Sequence, residues 1–347
     1  MQNCDFGMRI GEKFKPDFDL YNFGLNNTFE AQKRIFGMFK PIISVILFFG
    51  WISLPAQNRI DTLSIENYQV EVLKISDKLN EISSLEFHNG YFWGNNDSGG
   101  ENAIYKIDPE SGKIVQTVIV SNAINIDWEE IGFGGNYVFI ADTGNNSGDR
   151  RDLGFYYFPM SELDADEPRI SVEAQKIDFS YPEQKNFNPG NHKTNFDCEA
   201  FFYYNGKLHL FTKEWTSLET THYTLEVKPG SQSAKKIETF KTNYMVTGAT
   251  VDDNPISNTH GFYLIGYTPW GVAMISGFSL SKKNDDNLFN AKTKFSLPIG
   301  FAPQVGQTEG ITIKPDNPNI LCYSNEEFKH QGFFAKQSIQ CIQSLAK

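Results

Sequence analysis

The sequence predicts an all-β protein, a β-propeller of four-stranded blades. From residue 61 onward almost no helical period is present, and short alternating or apolar runs are separated by clusters of Gly, Asn, Asp and Pro. The runs fall into groups of four. The groups begin at Glu81, Glu129, Glu199, Thr247 and Glu309, roughly 50 to 70 residues apart, which is the range of propeller blades.

The chain opens with a segment that reads as processing signal. Residues 42–54 form an uncharged apolar run, shorter than the roughly 20 residues a membrane span needs. Lys40 precedes it, and Ser53-Leu54-Pro55-Ala56-Gln57 supplies a small-residue cleavage region. Met38-Phe39-Lys40 makes a conventional short start. The reading is therefore that translation begins at Met38, residues 1–37 are a mis-assigned extension, 38–57 are a signal peptide, and 58–347 form one propeller domain. The alternative is an N-terminal membrane anchor. No Cys follows the apolar run in lipidation position.

The first blade is read at 81–87, 91–97, 103–108 and 113–120, with turns at His88-Asn89-Gly90, Asp97-Ser98-Gly99-Gly100 and Pro109-Glu110-Ser111-Gly112. The second has strands at 126–133, 137–142, 154–159 and 174–179, and the third at 196–204, 207–212, 222–227 and 234–240. The fourth has 248–251, 261–267, 272–280 and 293–297. The fifth has 308–313, 320–324 and 332–341 and lacks a last strand. The leading run 68–75 can fill that gap, closing the ring with the two ends of the domain and removing an exposed sheet edge. Five blades result, or six if 184–193 and 282–291 hide short strands. A β-sandwich explains the regular units less well.

Composition agrees. Among 347 residues, 40% are hydrophobic and 21% charged, a globular balance. Aromatics at 14% and 28 Gly favour strands joined by many turns. The net charge of −11 excludes a nucleic-acid binder, which needs a basic face, and suits a protein that attracts cations such as Ca²⁺. Of the four Cys, Cys322 and Cys341 are the expected disulfide pair in an exported chain, and Cys198 reads as a small buried hydrophobe.

Side chains two apart along a strand share a face. Asp127 and Glu129 thus point one way, as do Asp197 and Glu199, each pair at the start of an innermost strand. Glu81 and Glu309 are expected in the matching place, and Thr247 in the fourth unit. Second strands end in Asn95-Asn96-Asp97, Asp142 with Asn145-Asn146, Lys213-Glu214 and Asn325-Glu326. In a propeller both sets lie at one mouth of the channel. Crowded carboxylates repel unless a cation sits among them, and hard oxygen donors suit Ca²⁺. The expected ligand pool is Glu81, Asp97, Asp127, Glu129, Asp142, Asp197, Glu199 and Glu309. Lys213, Arg151 and Asn96 are expected to hold a substrate, the two cations taking its anionic group. The competing reading is structural, with acid side chains bonding to backbone N–H groups of neighbouring blades.

Other motifs are absent. There is no Gly-x-Ser-x-Gly, no His-Glu-x-x-His and no phosphate-cradling loop. His88, His209 and His260 read as structural, and Trp93, Trp128 and Trp215 as packing between blades.

The run Glu81-Ile-Ser-Ser-Leu, Trp93-Gly-Asn-Asn-Asp-Ser-Gly-Gly, Asp127-Trp-Glu-Glu-Ile, Asp142-Thr-Gly-Asn-Asn and Arg151 resembles secreted bacterial propellers related to the phytase-like esterases. The likeness covers most of 75–330 and is strongest over 81–151. Ser84 stands for the usual glycine, Glu130 for an aspartate, and Asn145 where the family often has Asp, which leaves one fewer hard ligand near Asp142. The resemblance implies an ester or phosphoester hydrolase. On this reading Asp127, Glu129, Asp197, Glu199 and Lys213 carry the chemistry. The rival reading is a non-catalytic propeller that binds a glycan, peptide or envelope partner, with Ca²⁺ structural; a monomer is expected on either reading.

Overall fold

The computed structural model describes residues 60–252, 261–280, 286–291, 294–314, 317–330 and 332–345. All of them belong to the second of two compact units, 59–347. The expectations for residues 1–37 and 38–57, and for His260, lie outside the described residues.

Five antiparallel sheets form the blades of a propeller. Blade 1 runs Glu86–His88, Tyr91–Gly94, Ala103–Ile107 and Ile114–Val120, with an isolated bridge from Ile82 to Asn96 extending its inner strand. Blade 2 runs Trp128–Gly134, Tyr137–Asp142, Gly154–Pro159 and Gln175–Ser180. Blade 3 runs Asp197–Tyr204, Lys207–Lys213, Thr220–Glu226 and Lys235–Phe240. Blade 4 runs Met245–Asp252, Gly261–Tyr267, Val272–Ser279 and Lys294–Phe301. No strand lies in 184–193, and the described part of 282–291 holds only the 3-10 turn Leu288–Asn290, so the count is five.

Blade 5 closes the ring. Its strands are Gln307–Lys314, Asn317–Glu326, Ser338–Ser344 and, from the other end of the domain, Tyr68–Lys74, which pairs Glu71 with Cys341 and Val72 with Gln340. The strand expected at 332–341 is divided. Gly332, at φ +87°, turns the chain so that Phe333–Ala335 folds back on Phe328–His330, and the blade strand begins only at Ser338.

Three further strands escape the sequence reading. Arg169–Val172 adds in parallel to the outer strand of blade 1, Gly230–Ser233 to that of blade 2, and Asp61–Thr62 to that of blade 4. Each comes from the segment leading into the outer strand of the next blade, so neighbouring blades are lapped and open edges covered. These two- to four-residue segments are too short to show a period.

The core is a set of aromatic layers between blades. Phe155 meets Phe201 edge-on at 4.9 Å between blades 2 and 3, and Phe202, Phe211, Phe262, Phe278 and Phe289 pack blade 3 against blade 4. This is where much of the chain's complement of 30 Phe is used. Trp93 and Trp128 pack between blades 1 and 2, and Cys198 lies in the layer between blades 2 and 3. His209 is buried, its Nδ1 2.9 Å from Nε2 of His222 and its Nε2 3.1 Å from the Tyr204 carbonyl oxygen.

Cys322 and Cys341 face each other across the second and third strands of blade 5 and form a disulfide. It staples the blade whose outer strand comes from the far end of the domain. Replacing both with Ala is expected to cost about 3 kcal/mol in urea unfolding, the value for a loop of this length. An unchanged midpoint would mean that ring closure does not depend on the staple.

Candidate metal centre

The inner strands of blades 2 to 5 each carry a bulge near the start. Trp128 pairs with Asp142 and Glu130 with Ala141, leaving Glu129 unpaired between them. Glu199 is left between Cys198 and Ala200 in the same way, and Thr247 between Val246 and Gly248. In blade 5 the shift falls between Thr308 and Ile311 and takes in Glu309. A bulge re-aims a side chain that a regular pleat would send elsewhere. One backbone device therefore supplies three glutamates to the hub of the ring, and Thr247 in the fourth blade.

Blade 1 corrects the expected register. Ile82 bridges Asn96 as Trp128 pairs with Asp142, so the place of Glu129 belongs to Ser83 and not to Glu81. Glu81 lies opposite Asp97, whose N–H donates to the Glu81 carbonyl at 2.9 Å. Matching carboxylate to carboxylate shifts the repeat by two residues, which a strand pattern tolerates because the facing is preserved. The Ser83 hydroxyl lies 2.8 Å from the Glu129 carbonyl oxygen and 3.1 Å from its Oε2.

Among the described residues two groups of carboxylates form, and Glu129 belongs to both. One is Asp97, Asp127 and Glu129, the other Glu129, Asp197 and Glu199; within each group, one oxygen per residue lies within 4.8 Å of the others. Blades 1, 2 and 3 each contribute. Asp97 and Asp127 are half-buried, while Glu129, Asp197 and Glu199 are buried. Of the expected ligand pool, Glu81, Asp142 and Glu309 fall outside both groups. Glu309 accepts from Gln307 Nε2 at 2.6 Å. Asp142 is turned to a framing task, its Oδ1 accepting from Arg150 at 2.9 Å and from the Asp127 N–H at 3.1 Å.

The supporting shell is local. Asn125 donates to the Asn96 and Asp97 carbonyls at 3.1 and 3.0 Å and accepts from the Trp128 N–H, latching a blade 1 turn onto the blade 2 strand. A Cβ on Gly144 would sit 2.2 Å from Glu129 Oε1 and 2.4 Å from Asp127 Oδ2, so only glycine lets that backbone approach the two carboxylates. Arg150 ties the same loop, donating also to the Gly144 carbonyl at 2.8 Å. Arg151, the cation expected here, is exposed, with its guanidinium 3.6 Å from the centre of the Phe187 ring. Asn96 donates to the Lys78 carbonyl at 2.8 Å.

Lys213 is committed within the cluster. Its ammonium reaches both oxygens of Glu199, at 2.6 and 2.7 Å, and lies 4.6 Å from the Trp215 ring centre. Asp197 accepts from the Asn145 N–H at 2.6 Å and from Trp215 Nε1 at 2.7 Å. Thus Trp215 braces the site as well as packing against His192.

One ammonium does not balance this many carboxylates. Burial, then the neighbouring Asp97 and Asp197, pushes the Asp127 carboxyl up to about 8. Burial first, and Glu199 second, holds Glu129 well above the usual range. Glu199 and Asp197 are raised by burial against the pull of Lys213. Glu130 is raised by burial as well; its Oε1 accepts the Leu85 and Ile131 N–H groups, and its Oε2 has no partner. Without a cation such groups take up protons. A divalent cation is an alternative neutraliser, and the donors fit one: all are hard oxygens, and two flanking residues, Asn96 and Asp142, each keep a buried oxygen with no partner.

No family model matches the chain, and no curated protein matches it. Among solved structures, hydrazine synthase from Kuenenia stuttgartiensis is similar at a TM-score of 0.38 and 8% identity, over 78% of this chain and 65% of that one. The chain thus spans less than two thirds of that protein's length. A structure titled as a provisional 6-phosphogluconolactonase from Bacteroides uniformis is similar at a TM-score of 0.35 and 13% identity, over 73% of this chain and 70% of that one. Neither likeness is close enough to bear on function.

Two outcomes follow from the charge balance. Carboxyls raised in the fold bind protons there that the unfolded chain has released, so their contribution to stability is lost as pH rises from about 4 to about 8. Metal-free protein should therefore melt progressively lower across that window, and excess Ca²⁺ should flatten the slope; a flat metal-free profile would contradict the raised values. Lys213→Met, which strands Glu199, should cost about 3–5 kcal/mol in urea unfolding, with part regained in Lys213→Met/Glu199→Gln.

Proposed function

We propose that the carboxylate cluster is a divalent-cation site that takes Ca²⁺, and that the protein is an exported propeller hydrolysing an ester or phosphoester at this mouth. The observation that carries the proposal is the convergence of four carboxylates from three blades on a fifth, Glu129, with the Lys213 ammonium beside them. All-oxygen donors favour Ca²⁺ over softer metals. Export, with 38–57 as signal peptide, fits the disulfide. The sequence resemblance to phytase-like esterases supports the ester or phosphoester class.

The residues divide the work by exposure. Asp197 and Glu199 are fixed by Asn145, Trp215 and Lys213 and hold position. Asp97 and Asp127 are the members that solvent reaches, so one of them is placed to take a proton from water as general base. A bound divalent cation would polarise the ester oxygen and make water more acidic. Lys213 steadies Glu199, and the anionic end of the substrate is left to the cation.

The binder remains the second reading, and one feature favours it. Trp270, Phe301, Phe333 and Phe334 are exposed on turns and strand ends of blades 4 and 5 at the same mouth, an apolar rim of the kind that receives a glycan, peptide or envelope partner. The deciding experiment is turnover of p-nitrophenyl phosphate and p-nitrophenyl acetate by the mature chain. Turnover should vanish in EDTA, return with Ca²⁺, and fall at least about 10-fold in Glu129→Gln. No turnover, with Ca²⁺ still raising the melting temperature, would assign the mouth to binding; turnover indifferent to EDTA would overturn the metal role.

A further inference from the structure

A cavity of about 690 Å³ opens between blades 1 and 2 on the face away from the acidic mouth. Its position follows from topology. It is lined by the hairpin turns after the inner strands of both blades, at Asn89 and Asn136, and by the segment that follows Gly154–Pro159. All of these lie at the opposite end of the strands from Asp97 and Asp127. The volume is that of a small-molecule site.

The lining is chemically mixed. Lys106 faces Trp93 across the sheet, with its nitrogen 4.2 Å from the Tyr91 ring centre and 5.7 Å from that of Trp93. Among the described residues it has no carboxylate partner, so a half-buried ammonium is held on aromatic faces with its charge unmatched. His88 stacks one face on Phe133, with ring centres 4.4 Å apart and planes 3° apart, and burial together with Lys106 keeps the imidazole below its usual pKa and hence neutral. Tyr137 also borders the cavity, with its ring turned to Tyr157 and Phe139 in the layer between blades 2 and 3. Asn136, Asp164 and Asp166 stand exposed on the rim.

We propose that this cavity binds a sugar acid, a pyranose ring carrying one carboxylate. The groups present match its three kinds of surface. An unpaired ammonium answers the carboxylate. An amide and two carboxylates on the rim answer hydroxyls, the first mainly as donor and the carboxylates as acceptors. The His88 ring, with one face backed by Phe133, covers the C–H face of the sugar with the other. A plain anion would leave Asp164 and Asp166 without hydroxyls to accept from, and a neutral sugar would leave Lys106 unmatched. The site is independent of the cation centre and stands whether or not that centre binds metal.

Calorimetric titration of the mature protein in EDTA, with glucuronate, galacturonate, methyl glucoside and acetate, tests it; EDTA removes any contribution from the mouth. Either uronate should bind in the millimolar range, and methyl glucoside and acetate at least about 10-fold more weakly. Lys106→Met should abolish the preference for uronate over methyl glucoside. Asn136→Asp, on an exposed turn whose φ of +69° aspartate tolerates, should weaken uronate by placing a negative charge beside it. Tighter binding of an oligogalacturonide than of the monomer would identify a polysaccharide end as the source, and equal binding a free sugar acid. Absence of heat with both uronates, equal affinity for glucuronate and methyl glucoside, or full uronate affinity in both variants would overturn the proposal.

Discussion

Like charge confined at the hub is the constraint on which the rest of this structure depends. The bulges of blades 2, 3 and 5 deliver glutamates to one ring, and Asp97, Asp127 and Asp197 crowd beside them. Such an arrangement opposes its own folding. Its members are taken out of water and set against each other, and the Lys213 ammonium beside them is already bound by Glu199. A hub of this kind persists only if the surrounding ring is rigid and if protons or a cation neutralise it.

The rigidity has identifiable sources. Aromatic layers between blades bury the large apolar area that offsets the polar hub. The Tyr68–Lys74 strand closes blade 5, the disulfide staples it, and short parallel strands lap three of the blades onto their neighbours. Close to the hub, cross-blade hydrogen bonds do the same at finer scale. Thr143 donates to the Cys198 carbonyl at 2.7 Å and Thr247 to the Thr308 carbonyl at 2.9 Å. The strand ends can therefore hold carboxylates in unfavourable proximity without spreading.

Most of the architecture was legible in the sequence because it rests on alternation and turn chemistry. Strands such as Tyr137–Asp142 and Gly154–Pro159 stand where their patterns put them, and the ring closure and the Cys322–Cys341 pair follow from counting. The hub was legible in outline, through acidic pairs two residues apart. Its details were hidden for physical reasons. A bulge leaves no mark on residue type, so Ser83 could not be told from Glu81 as the counterpart of Glu129. Which of two adjacent arginines turns inward depends on the path of the loop around Gly148, at φ +67°, and the structure gives that place to Arg150. The partner of Lys213 is fourteen residues away and is set by cross-strand register. The cavity between blades 1 and 2 gathers residues from separate turns that no local motif connects.

The central claim is that carboxylates of three blades act as one cation site. A crystal structure of the mature protein grown or soaked in Ca²⁺ tests it most directly. The account predicts an ion bound by Glu129 together with Asp127 or Asp197, with Gly144 packed against its ligands. Ca²⁺ density only at surface carboxylates, with Glu129 remote from any ion, would contradict it.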